Sequence, residues 1–120
     1  MDLTQEESNI KQNADIFARK NKEDIASDAT RLDIFLPEEN PVSVFMAGSP
    51  GAGKTESSKN LIQKFSKNGN DILRIDPDEL RSRISGYDGG NSYLFHGAVS
   101  ILVSYIHDEA LKNKQSFVFD

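Results

Sequence analysis

The chain has 120 residues, a 37% hydrophobic share, a formal net charge of −5 and no cysteine. That is the size of one ordinary domain with room for a core, and the lack of cysteine excludes disulfides and thiolate metal sites. The charge is uneven: residues 1–40 carry ten acidic and five basic side chains, whereas residues 41–120 carry nine of each. No basic run suggests a nucleic-acid surface. The longest apolar-rich stretch, Leu94 to Ile106, is too short to span a bilayer. Met1 to Glu7 is acidic and is followed by no apolar signal-like segment, so a soluble, cytoplasmic protein is expected, without nucleic-acid or membrane partners.

In chain order, Thr4-Gln5-Glu6-Glu7 reads as a capping box opening a helix to about Lys20, with Ile10, Ala14 and Phe17 on one side. A second helix over Lys22 to Leu32 places Ile25, Ala29 and Leu32 on one face. Both stripes are narrow, which predicts helices that pack onto the domain or a partner rather than forming a core of their own. Pro37 and Pro41 bracket a turn, and the boundary falls there: an acidic helical leader over 1–36 and a second part over 37–120.

Val42 to Ala47 is apolar enough to be a parallel strand buried on both faces. It runs directly into Gly48-Ser49-Pro50-Gly51-Ala52-Gly53-Lys54-Thr55, which fits the phosphate-binding pattern G-x-x-x-x-G-K-[ST]. Glycines let backbone N–H groups converge on an anion, and a following helix N-terminus adds its positive dipole end. Lys54 is then expected at the β- and γ-phosphates of ATP and the Thr55 hydroxyl on Mg²⁺. The helix over 53–67 turns Leu61, Ile62 and Phe65 toward the sheet and stops at Asn68-Gly69.

A second strand, Asp71 to Ile75, leads into Asp76-Pro77-Asp78-Glu79 and a short helix through Ile84. Residues 85–92, with Gly86, Gly89 and Gly90, read as a mobile loop. A long helix follows from Tyr93 to about Asn113, and Phe117-Val118-Phe119 is a third strand closed by Asp120. Alternating strands and helices give an α/β class with a parallel sheet, a P-loop NTPase-like three-layer arrangement preceded by the helical leader.

Ligands of open α/β sheets bind at the carboxyl ends of the strands, where Asp76, Asp78 and Asp120 are expected. Asp76 before Pro77 has the form of an N-cap, and the same carboxylate suits a substrate or metal contact. Asp78 suits a helix's first turn, and it also suits a base that orients a substrate hydroxyl for phosphoryl transfer. Asp120, closing an apolar run, has the place of the acid that holds Mg²⁺ beside Thr55. Arg81 and Arg83 read as a solvated face, with reach to a bound anion as the alternative, and His96 and His107 as ordinary helix residues.

The run Pro41 to Glu56, the segment Arg74-Ile75-Asp76-Pro77-Asp78-Glu79-Leu80 and Phe117 to Asp120 together resemble the zeta toxin family, P-loop kinases of toxin–antitoxin systems. The resemblance covers roughly residues 41–120. It implies ATP- and Mg²⁺-dependent phosphorylation of a nucleotide sugar, UDP-N-acetylglucosamine, with an antitoxin protein as partner. By position, Gly48 to Glu56 match the nucleotide-binding run, Lys54 and Thr55 the ATP and Mg²⁺ residues, and Asp78 the catalytic base. Asp120 matches a strand-end carboxylate that the family often fills with Glu. Ser104 is nearest by spacing to a helical glutamate that can contact the sugar, which together with Asp76 and Asp78 makes the expected substrate set. Family members continue past the third strand with further strands and lid arginines, so the 120 residues are expected to be an N-terminal portion, inactive alone. The alternatives are another small-metabolite kinase, shikimate-kinase-like, or a nucleotide-dependent switch module.

Overall fold

The computed structural model describes residues 2–46 and 71–120. Thr4 caps the first helix, α1 (Gln5–Ala29): its Oγ1 accepts from the Glu7 N–H at 3.1 Å, and Glu7 Oε1 accepts from the Thr4 N–H at 3.0 Å. The capping box therefore forms as the sequence predicts. The expected pair of helices is instead one continuous helix of 25 residues. No glycine or proline interrupts Lys20-Asn21-Lys22, and the Asn21 side chain bonds back to the Phe17 carbonyl at 2.9 Å without displacing the helical ladder. Thr30 ends the helix, donating both its N–H and its hydroxyl to the Ala26 carbonyl, which leaves Leu32 outside the helix and exposed.

Three short strands follow: β1 (Ser43–Phe45), β2 (Leu73–Ile75) and β3 (Phe117–Phe119). They form one parallel sheet in the order β1-β3-β2, with Phe45 and Ile75 both in register with Phe119. Helix α2 (Pro77–Ser82) springs from the end of β2, a 3₁₀ turn covers Ser92–Leu94, and α3 (His96–Lys112) leads back to β3. The parallel α/β class expected from the alternation is what the chain adopts.

The core lies between α1, α3 and one face of the sheet. Ala14, Ala18 and Ala26 of α1 meet Ala98, Leu102, Ile106 and Ala110 of α3, and Leu73, Ile75 and Phe117 close the cluster from the sheet. Ile10, Phe17, Ile25 and Ala29 pack on it half-buried, so the narrow stripe read from the sequence is the contact face. Contacts advance in step along both helices: Glu7 reaches Tyr93, Glu23 reaches Tyr105, and Thr30 reaches Gln115. The two helices consequently run in the same direction. Between these contacts Gly97 sits so close to α1 that a Cβ there would lie 3.2 Å from Asp15 Oδ1.

Two further expectations change. Residues 85–92 are not a loose glycine loop. Buried Asn91 donates to the Gly86 carbonyl at 3.0 Å and accepts from the Asp88 N–H, while Asp88 Oδ1 accepts from the Gly90 N–H at 2.8 Å. Gly86 and Gly89 adopt φ of 100° and 92°, which side chains disfavour. β1 is not buried on both faces either, since Phe45 is 60% exposed. β1 is an edge strand among the three described, and the Phe45 ring lies at the rim against His107, Phe117 and Phe119. No helix among the described residues is long and apolar enough to cross a membrane.

Candidate active site at the carboxyl edge of the sheet

Because the strands are parallel, their carboxyl ends share one edge. The ladder runs one residue past each strand: the Met46 N–H donates to the Phe119 carbonyl at 2.8 Å, and the Asp120 N–H to the Ile75 carbonyl at 2.9 Å. Met46 stands two residues before Gly48 in the sequence, so the chain leaves β1 toward its glycine-rich segment from the edge that carries Asp120. Asp76, one residue beyond β2, is Asp120's neighbour on the adjacent strand. Side chains alternate along a strand, so Leu73, Ile75 and Phe117 face α3 while Arg74, Asp76, Val118 and Asp120 belong to the other face.

Asp76 does the capping its sequence context predicts. Its Oδ1 accepts from the Asp78 N–H at 3.0 Å, its carbonyl accepts from the Leu80 N–H at 3.1 Å, and Pro77 opens the helix. Its second oxygen, Oδ2, lies 3.0 Å from Arg74 Nη2. Asp120, with a side chain only 2% exposed, places its own Oδ2 on the same Arg74 nitrogen. Glu79 is 3.9 Å from Nη1. One guanidinium therefore joins two strand ends and the first turn of α2.

Asp78 is exposed, and its carboxylate accepts from Arg81 Nη1 at 2.8 Å, one turn along α2. Its backbone belongs to the Asp76 cap, but its side chain is separate from the Arg74 cluster. Arg81 is thus paired rather than solvated, and its Nε finds no hydrogen-bond partner among the described residues. Ser104 is exposed on α3, and no described contact joins it to the carboxylates. His107 is half-buried and packs edge-on against Phe117 at 5.2 Å between ring centroids. Gly48, Ser49, Pro50, Gly51, Ala52, Gly53, Lys54, Thr55 and Glu56, and the helix expected over 53–67, lie outside the described residues.

Arg74 belongs to this site although the sequence gives it no role beyond opening the family-like segment Arg74 to Leu80. Its one signal is a single charge inside an apolar run, Ile72-Leu73-Arg74-Ile75, two residues before an Asp and therefore on the same face of the strand. Asp120 and Asp76 are hard oxygen donors of the type Mg²⁺ prefers, but their Oδ2 atoms both face Arg74, and among the described residues no group of three or more acids or histidines is placed to hold a metal ion. Beside β2 and α2 runs a cleft of about 330 Å³, with Ile72, Ile75, Leu80 and Ile106 among its apolar lining and Asp76, Glu79 and Arg83 among its polar lining.

Residues 25–120 match the family model for zeta toxin. The chain belongs to the zeta toxin family. The match takes in the last turn of α1, all three strands, α2 and α3. Comparison with characterised proteins and with solved structures gives no match. Zeta toxins are P-loop kinase-like toxins, a class that generally works on ATP with Mg²⁺, and the helix followed by a three-stranded parallel sheet accords with that architecture.

Proposed function

We propose that this zeta toxin is a kinase that moves the γ-phosphoryl group of ATP to a hydroxyl of a nucleotide sugar, UDP-N-acetylglucosamine, in the cytoplasm, under the control of an antitoxin. In this reading Gly48 to Glu56 cradle the nucleotide, with Lys54 on the β- and γ-phosphates. Thr55 and Asp120 hold Mg²⁺, which would offset phosphate charge. Asp78 accepts the acceptor's proton and orients its oxygen, and Asp76 completes the substrate side. Ser104 as a sugar contact rests on the family resemblance alone. Residues 1–36 are a lead-in to the kinase part at 37–120, and the leader's helix packs into the same core.

The observation that carries the reading is the convergence of the family match with the carboxyl edge. Met46, Asp76 and Asp120 lie side by side there, and Asp78 stands one helical turn away with an accessible carboxylate. A base for a substrate hydroxyl must be reachable by that substrate, and phosphoryl transfer asks for orientation more than for basicity. Asp78→Asn, made in the chain as it occurs in its organism, is expected to keep ATP binding and to lower sugar phosphorylation by about 10²–10⁴-fold. Transfer to UDP-N-acetylglucosamine is followed with labelled ATP, with shikimate as the competing acceptor. Phosphorylation of shikimate instead would move the chain to the alternative metabolite-kinase reading. An Asp78→Asn protein with undiminished transfer would remove Asp78 from its role.

A further inference from the structure

We infer that Arg74 is the positioning residue of this edge: it holds the Asp76 and Asp120 carboxylates side by side, and so aims the acid assigned to Mg²⁺. The metal half of this inference rests on the function proposed above.

The backbone creates the problem that Arg74 solves. The Asp120 N–H bonds to the Ile75 carbonyl, and Asp76 is the next residue, so two acidic residues sit on neighbouring strands and on one face. Strands lie roughly 4.8 Å apart. The side chains of Asp76 and Asp120 are only 16% and 2% exposed, so water screens their repulsion poorly. Arg74 is two residues before Asp76 on the same face, and its Nη2 serves Oδ2 of both acids while Nη1 leans toward Glu79. A planar guanidinium can hold the two strand ends and α2 in one arrangement, whereas a lysine ammonium is one point charge without the fork.

Stability alone is a poor reason for such a group. Burying a guanidinium among carboxylates costs desolvation that its ion pairs roughly offset, and an apolar residue on this strand would serve the fold as well. The cluster stands where the direction of the acid assigned to Mg²⁺ matters to the proposed chemistry. Asp76 also acts a second way, because the oxygen that does not meet Arg74 caps α2 and thereby sets the backbone of Asp78. Arg74 thus links the metal acid on β3 to the helix that carries the proposed base.

The test uses Arg74→Gln, Arg74→Lys, Asp76→Asn and the double variant Arg74→Gln/Asp76→Asn. Asparagine keeps the cap acceptor at 76 and removes the charge. The first readout is thermal unfolding without nucleotide. Arg74→Gln should lower the midpoint, and adding Asp76→Asn should recover much of the loss, because one of the two neighbouring like charges is then gone. The second readout is the Mg²⁺ concentration that half-saturates ATP binding, measured by calorimetry. It should rise about tenfold in Arg74→Gln and less in Arg74→Lys, with metal-free ATP binding unchanged.

Failure of Asp76→Asn to rescue Arg74→Gln would overturn the inference. So would an unchanged Mg²⁺ response in folded Arg74→Gln. If Arg74→Gln does not fold, a folded double variant supports the clamp and an unfolded one overturns it. Absence of Mg²⁺-dependent ATP binding in the unaltered chain would instead defeat the function proposed above, with the unfolding arm still deciding whether Arg74 holds the acids.

Discussion

The α1–α3 seam and the carboxyl edge of the sheet are held together by opposite means. The seam is made mainly of small and apolar side chains, with Ala14, Ala18 and Ala26 against Ala98, Leu102 and Ala110; Asp15, paired with Lys11, faces Gly97 at its side, and tyrosine–glutamate hydrogen bonds mark its rim. The edge is made of charges, with Arg74 among Asp76, Glu79 and Asp120. Packing in the seam is close and indifferent to chemistry, so that volume is the sensitive variable. At the edge volume matters little, and direction and charge decide. One region is sensitive to added volume and the other to a lost charge. A substitution that is severe in one should be mild in the other.

The sharpest break of this contrast is Ala18→Leu. Ala18 is fully buried at the helix contact, and adding three carbons there forces the helices apart at a cost of about 3 kcal/mol. Denaturant unfolding should show a midpoint well below that of the parent. An unchanged midpoint would mean that the seam is looser than its alanines imply.

Gln115 gives the next effect. It is buried, and its Nε2 donates to the Thr30 and Phe35 carbonyls at 2.8 Å each, tying the end of α1 and the following turn to the approach to β3. Gln115→Ala leaves both carbonyls without that donor and should cost about 1–3 kcal/mol. Proteolysis after Thr30 should quicken in step. A loss confined to one carbonyl would appear as stability reduced without faster cleavage.

The smallest effect is at the rim of the seam. The hydrogen bond from the Tyr93 hydroxyl holds Glu7 below its ordinary 4.5, with the Thr4 cap adding to it. The same bond raises Tyr93 above its ordinary 10.0, and the Glu23 charge raises Tyr105. The lowered Glu7 favours the fold above about pH 4.5, and that contribution is lost as pH falls through its folded value. The raised tyrosines favour it below pH 10.0, and theirs is lost as pH rises through their folded values. Tyr93 and Glu23 are exposed and Glu7 and Tyr105 only half-buried, so salt weakens the effect. Ultraviolet titration should show Tyr93 and Tyr105 ionising late, and Glu7→Gln should bring Tyr93 back toward its ordinary 10.0. A Tyr93 midpoint that ignores Glu7→Gln would place the seam's rim in solvent.

Much of the architecture is legible in the residues because it is local. The capping box at Thr4 and Glu7, the cap at Asp76 with Pro77 behind it, and the strands ending at Ile75 and Phe119 each follow from a few neighbouring side chains. The continuity of α1 is not legible, because narrow apolar stripes look like breaks when nothing shows which face is covered. The order at 85–92 is hidden too, because its glycines are visible in sequence and the Asn91 and Asp88 bonds that tie it are not.

By itself, then, the sequence determined the element types, the parallel class and the acids at the strand ends, since propensity, capping and period-two alternation act over a few residues. Only the tertiary structure decided that β3 lies between β1 and β2, that Asp120 therefore stands beside Asp76, and that Arg74 belongs to both. Those are partnerships across 46 residues of chain, between Arg74 and Asp120. No local rule carries them. They exist because burying Leu73, Ile75 and Phe117 on the α3 side fixes the register of β2 against β3, and the charges on the opposite face are brought together as a consequence.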